Sequence, residues 1–273
     1  MLKKLILVST VSFTLLSFYR IGNPVLEMVK VEGGTFMMGS KDDNHIAEND
    51  EQKQHEVKLN SFEINKLEVT VWEWKDYCKK TKKKMPITPT WGWNDNSPIT
   101  NITWFDAIEY CNWLSKVEGL KQVYIAVGPN VKCDFTANGY RLPTEAEWEF
   151  AAKGGNKSKG NVFAGANNSN EIAWWIKNSD RKPHAVGTKL PNELGIHDMS
   201  GNVWEWCWDW YNKDYYKTED GNNPKGPIRG EKKAVRGGSW DSQENYLRTA
   251  NRISTDPNKT NEFYGFRLAR TLN

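Results

Sequence analysis

The stretch Trp204-Glu-Trp-Cys-Trp-Asp-Trp210 constrains the fold more than any other, because tryptophan returns at every second position. In an extended backbone that period puts Trp204, Trp206, Trp208 and Trp210 on one face and Val203, Glu205, Cys207 and Asp209 on the other. The run reads as a strand with a heavy aromatic face. An indole brings a large apolar surface but also an N–H that needs a partner, which suits a packed, loop-rich core better than a plain sheet sandwich. The indoles themselves read as packing. The other face is acidic: Glu205 and Asp209, with Asp198 in the turn just before, offer the oxygens that a hard cation such as calcium takes, and the turn adds free backbone carbonyls.

A chain of 273 residues with 12% aromatics and 14 tryptophans has the means to bury a large core and is globular rather than disordered. The formal charge is +3, but Lys3, Lys4 and Arg20 lie in an N-terminal segment with the layout of a secretory signal, and the remainder is near neutral. Charge therefore gives no case for a nucleic-acid partner. Lys3 and Lys4 precede residues 5–18, which carry no charge. Residues 1–22 read as a signal peptide or a signal anchor, short of the roughly 20 apolar residues a membrane span needs. Export to the periplasm, the cell surface or the medium is expected, with membrane contact only through this segment if it stays uncleaved. No cysteine precedes Cys78, and Cys78, Cys111, Cys133 and Cys207 admit three full pairings among which spacing does not choose.

Residues 27–273 read as a single domain. Residues 28–39 give two short strands turning at Gly33-Gly34, 41–54 a solvated acidic surface loop, and 55–64 one strand. Three helices announce themselves by an N-cap threonine with an acid three residues on: Thr70 with Glu73, Thr103 with Asp106, and Thr144 with Glu147. The lysines at 79, 80 and 82–84 close the first helix, where positive charge suits its dipole. Residues 84–97 and 155–170 read as long ordered loops, and two terminal strands bracket a polar loop over 241–264.

Six separate stretches resemble the formylglycine-generating enzyme, or sulfatase-modifying factor, family, in that family's order. They are Gly33-Gly-Thr-Phe-Met-Met-Gly39, Glu68-Val-Thr70, Gly139-Tyr-Arg-Leu-Pro-Thr-Glu-Ala-Glu-Trp-Glu149, Gly201-Asn-Val-Trp-Glu-Trp206, Arg236-Gly-Gly-Ser-Trp240 and Gly265-Phe-Arg267. The resemblance implies an α+β, loop-rich variant of the C-type lectin fold with few regular elements. It also implies a structural calcium at the turn before the tryptophan strand, on Asp198, Gly201, Val203 and Glu205. The enzymes of the family oxidise a sulfatase cysteine to formylglycine with copper(I) held by two cysteines after the Gly-Gly-Ser motif. Ser239 matches the motif serine, but the two copper positions hold Ser242 and Leu247, and no cysteine follows Cys207. A hydroxyl and an isobutyl group do not replace two thiolates for a soft ion, so copper is not expected.

No other catalytic set stands out. His45, His55, His184 and His197 form no metal-binding array, and Glu145, Glu147 and Glu149 lie on a helix whose capping box already accounts for acids there. The polar loop carries a binding reading: Trp240, Asp241, Gln243, Asn245, Tyr246 and Arg248, with Asn251 and Tyr264 at the margin, mix stiff aromatics with short polar groups as an antibody paratope does. A branch of the family, the variable proteins of diversity-generating retroelements, looks similar there. The expected function is binding of a protein or glycan ligand by a non-catalytic domain; the alternative is a sulfatase-maturing formylglycine-generating oxidoreductase or a related oxidative enzyme.

Overall fold

The computed structural model describes residues 26–41, 46–127, 130–218 and 220–272. The N-terminal segment read as a signal lies outside the described residues, and none of the described helices is long and apolar enough to cross a membrane.

Four strands open the domain: β1 (Met28–Val31), β2 (Gly34–Met38), β3 (His55–Leu59) and β4 (Phe62–Asn65). The single strand expected over 55–64 is therefore two. β3 pairs with β2 in a hairpin, whereas β4 pairs with β1, so the chain has to step from one sheet to another at Asn60-Ser61. Gly33 packs into that step, where an added Cβ would sit 2.6 Å from the Leu59 carbonyl oxygen.

Helices α1 (Val71–Thr81), α2 (Trp104–Val117) and α3 (Glu145–Ala152) begin where their capping boxes place them. At all three the N-cap threonine accepts from the N3 backbone and the N3 acid accepts from the N-cap backbone, which satisfies two orphan donors at once. Between α2 and α3 lie the hairpin of β5 (Tyr124–Val127) and β6 (Asn130–Cys133) and the two-residue β7 (Tyr140–Arg141). The last third supplies β8 (Trp204–Trp210), β9 (Lys233–Arg236), β10 (Ile253–Thr255), β11 (Tyr264–Gly265) and β12 (Ala269–Thr271). Two four-stranded sheets result, in the orders β1-β4-β12-β7 and β10-β9-β8-β11.

The tryptophan strand β8 runs between two cores. Trp204 and Trp206 enter a cluster with α1, α2 and Phe266, while Cys207, from the other face, enters a second cluster with Trp148, Phe150 and Ile64. The period-two reading holds, but both faces are buried, so the acidic side has to be neutralised internally. Glu205 is forked by Arg267 at 2.7 and 2.6 Å, and Asp209 accepts from the Glu145 backbone N–H at 2.9 Å, at the start of α3.

Every residue of α3 is buried. Its three acids each have a buried arginine: Glu145 with Arg252, Glu147 with Arg141, and Glu149 with Arg236. A buried charge survives only when paired and hydrogen-bonded, so these arginines are part of the scaffold.

Candidate ligand surface and cation turn

Arg236, on β9, organises the polar loop from below. Its guanidinium donates to the carbonyls of Thr249, Ala250 and Asn251 at 2.9, 3.2 and 2.6 Å, so the middle of the loop is tied to the sheet. Ser200 Oγ donates to the Leu247 carbonyl and Ser179 Oγ to that of Trp240, both at 2.7 Å. The stretch over 241–264 is thus not one continuous loop, since β10 interrupts it and pairs with β9, but an ordered surface on a rigid base.

The residues predicted to bind separate into two groups. Asp241 and Gln243 are exposed, and Asn245, Tyr246 and Tyr264 are half-buried with an edge to solvent. Trp240 is buried beneath Trp91 and Phe263, with ring centroids at 5.2 and 4.9 Å, and its indole N–H donates to the Glu262 carbonyl at 3.2 Å. Arg248 and Asn251 do not belong to the surface at all. Arg248 is 2% exposed and forks the fully buried Glu51 at 2.5 and 2.6 Å, while Asn251 donates to the same carboxylate at 3.0 Å. The expectation that these two contact ligand is corrected: they anchor the loop. Glu51 likewise corrects the reading of 41–54 as a wholly solvated acidic loop. An arginine in a chain with 34 acids gives no sign of which it pairs with, so a buried ion pair 197 residues apart had no signature in the sequence.

Ser242 and Leu247, the two positions that the family resemblance matched to the copper cysteines, lie against one peptide. The Ser239 N–H donates to Ser242 Oγ at 2.9 Å, and a Cβ on the preceding Gly238 would sit 2.7 Å from Leu247 Cδ2. Ser242 is buried and turned inward, and Leu247 is fully buried among Phe163, Ile172, Ala173 and Trp175. Cys207 lies in a different cluster, where burial pushes its thiol well above the ordinary range. All four cysteines are free thiols.

The turn before β8 is built on left-handed backbone at Asp198, Gly201 and Asn202, with φ of 58°, 83° and 61°. Gly201 is required there, since a Cβ would lie 2.4 Å from the Trp174 carbonyl oxygen. Asn202 accepts from the His184 N–H and donates to Glu68, and Glu68 also accepts from the Val203 N–H. Asp198 accepts from the Gly187 N–H at 2.7 Å through Oδ2, while its Oδ1 is buried with no partner. Burial, then the charges of Asp198 and Glu205, raise the Glu68 carboxyl well above its usual range. Three buried carboxylates thus face the one guanidinium of Arg267, an excess of negative charge that fits a hard cation. Glu205 is already held by Arg267 and by the Trp148 indole N–H at 2.8 Å. No three His, Cys, Asp or Glu side chains of the described residues form a metal-holding group. Glu68, in the Glu-Val-Thr motif, joins this turn through Asn202 and Val203, which spacing did not reveal.

This fold and turn define a known class. Residues 19–272 match the sulfatase-modifying factor enzyme 1-like domain, and the chain belongs to that family. It is 34% identical to the chaperone protein LppX of Paenibacillus barcinonensis, over 90% of this chain and 89% of that one. It is 25% identical to the formylglycine-generating enzyme of Thermomonospora curvata, over 89% of this chain and 92% of that one. Among solved structures it is similar to Treponema denticola variable protein 1, with a TM-score of 0.77 and 29% identity over 93% of this chain and 98% of that one.

Proposed function

We propose that this domain is an exported, non-catalytic member of the family that works by binding a protein ligand on the surface of the 241–264 loop. The observation that carries the reading is the pair Ser242 and Leu247, a hydroxyl and a packed isobutyl group where the family resemblance puts the copper thiolates. The names of two relatives, a chaperone protein and a variable protein, agree with binding rather than oxidation. Within the surface, Asp241, Gln243, Asn245, Tyr246 and Tyr264 have solvent-facing atoms, and Tyr246 also borders a cleft of about 990 Å³ shared with Tyr211 and Lys213. Trp240 acts from beneath, as the floor that fixes Trp91 and Phe263.

Alanine at Gln243, Tyr246 and Tyr264 together should remove capture of the natural partner, about 2 kcal/mol or more coming from the tyrosines; because both rings also pack on Trp204 and Trp206, the variant melts lower and is compared at a temperature where it is folded. Cross-linking from position 243 in the native organism identifies that partner. Retained capture by the folded triple variant would place the ligand site elsewhere.

A structural calcium on Asp198, Gly201, Val203 and Glu205 belongs to the same proposal, supported by the unpartnered Asp198 oxygen and the buried negative excess. At a hundredfold excess over its dissociation constant, calcium adds about 2.7 kcal/mol, which for a domain of this size raises the melting temperature by roughly 5–10 °C over chelator. Asp198→Ala should erase that difference. Equal melting of the wild type in calcium and in chelator would make the turn a plain hydrogen-bonded one.

A further inference from the structure

The outer edge of β2 lines a cleft of about 760 Å³, a size within the range of ligand sites. The hairpin fixes which backbone groups face it. Thr35 stands opposite Lys58 on β3, and Lys58 turns both of its backbone groups away from β2: its N–H donates to the Gly221 carbonyl at 2.7 Å, and its carbonyl accepts from the Asn223 N–H at 2.8 Å. Opposed residues of an antiparallel pair share one orientation, so Thr35, and Met37 two residues on, aim their N–H and C=O outward. No other strand of the described residues pairs with this edge. Side chains from α3 and the segment after it close its two ends. The Gly33 carbonyl accepts from Asn156 Nδ2 at 3.0 Å, the Met37 carbonyl accepts from Lys153 Nζ at 2.9 Å, and the Gly39 N–H donates to Glu149 Oε1 at 2.7 Å. Between these, the N–H and C=O of Thr35 and the N–H of Met37 have no partner among the described residues, and both residues are exposed.

An exposed strand edge with open groups is a template for a further strand. The order N–H, C=O, N–H matches one short antiparallel segment, whose third residue exchanges two hydrogen bonds with Thr35 while its first accepts from the Met37 N–H. The side chain between them falls on the face of Phe36, which is half-buried against Phe150 with ring centroids at 5.0 Å, so an apolar group fits there. The outer two fall on the exposed face of Thr35 and Met37, where charge decides what they are. No aspartate or glutamate lines the cleft, whereas exposed Lys41 does. Exposed Lys157 and Lys159 alternate with the lining residues Asn156, Ser158 and Gly160, and neither lysine has an ion-pair partner among the described residues. We infer that this edge binds an extended peptide segment of acid–apolar–acid pattern, which adds a third strand to β2 and β3. The site is separate from the proposed ligand surface, since none of Asp241, Gln243, Asn245, Tyr246 and Tyr264 lines the cleft.

Acetyl-Glu-Val-Glu-amide is the probe. It should bind the full chain in saturation-transfer NMR with a dissociation constant of about 1 mM or tighter, and slow hydrogen exchange at the Thr35 and Met37 amides. N-methylation of its second glutamate removes the N–H that the Thr35 carbonyl accepts and should weaken binding on the order of tenfold. N-methylation of its valine, whose N–H points away from β2, should change the affinity far less. Acetyl-Lys-Val-Lys-amide should not bind. Lys157→Glu with Lys159→Glu, both at exposed sites, should weaken binding of the acidic peptide several-fold at an unchanged melting temperature. No binding at about 10 mM peptide, equal affinity for the lysine peptide, unchanged affinity in the double lysine variant, or equal loss from the two N-methylations would overturn the assignment. The Gln243, Tyr246 and Tyr264 variant should bind this peptide like the wild type, so failure here and failure of the proposed ligand surface are read separately.

Discussion

Arg248→Ala is expected to cost about 3–5 kcal/mol of stability, and to do so whether or not a ligand is present. The side chain sits in the middle of the proposed binding loop, but its guanidinium is spent on Glu51 from inside. Burial would raise the Glu51 carboxyl; Arg248 and Asn251 outweigh it and hold the group below its ordinary range. Removing Arg248 leaves a charge with 0% exposure and only neutral donors, the Asn251 amide, the Ser40 hydroxyl and the Glu48 N–H, a change that a deleted surface contact does not produce. In a domain of this size the loss amounts to a fall in melting temperature of roughly 6–20 °C. Pairing Arg248→Met with Glu51→Gln should recover much of it, because the double change removes both charges. A single Arg248→Ala variant that melts like the wild type would show that the pair is not what holds the loop.

Lys233 makes the second large effect, and it is one of pH. The residue is 1% exposed, and its ammonium donates to the Trp208 carbonyl at 2.7 Å and lies over the rings of Trp210, Trp104 and Trp208 at 3.8, 4.0 and 4.7 Å. Burial lowers its pKa to about 7, against the opposing pull of Asp209 and Cys133. The unfolded chain, with an ordinary lysine near 10.5, therefore binds the proton more tightly than the fold does. The penalty is full below pH 7, shrinks as pH rises from 7, and is gone above 10.5, so this group makes stability increase with pH across that window. The whole shift corresponds to a gain of roughly 5 kcal/mol as pH rises from 7 to 10.5. Lys233→Met should flatten the slope between pH 7 and 9, below the range where the buried thiols contribute. Parallel stability curves for wild type and Lys233→Met over that interval would contradict it.

Local features of this fold were legible in the sequence. The alternation of Trp204 to Trp210 fixed a strand and its two faces, and three capping boxes fixed three helix starts to the residue, because both depend on neighbours within four positions. The break at Asn60-Ser61 was not legible, since β3 and β4 differ only in which sheet each joins. The same limit applies to the site. Polar composition marked the loop over 241–264, but not that Arg248 and Asn251 point inward to Glu51, nor that α3 presents its three acids to three arginines far away in the chain. Long-range charge pairing has no period. The motifs Glu-Val-Thr, Arg-Gly-Gly-Ser and Gly-Phe-Arg held that information only through resemblance: Glu68, Arg236 and Arg267 are the buried charges inside them.

The central claim is that the domain binds without oxidative chemistry, and titration with copper(I) alongside a Cys-x-Pro-x-Arg peptide tests it most directly. Ser242 and Leu247 adjoin one peptide at Gly238-Ser239, so Ser242→Cys with Leu247→Cys brings two thiols to the same place. The double variant gives up buried volume at Leu247, which costs it about 2–4 kcal/mol, and has to be compared at a temperature where it is folded. The wild type should bind copper(I) no better than a protein without a thiolate pair and leave the peptide thiol intact, while the double variant gains copper affinity. Copper-dependent loss of the wild-type reaction's peptide thiol, with an aldehyde in its place, would contradict the account.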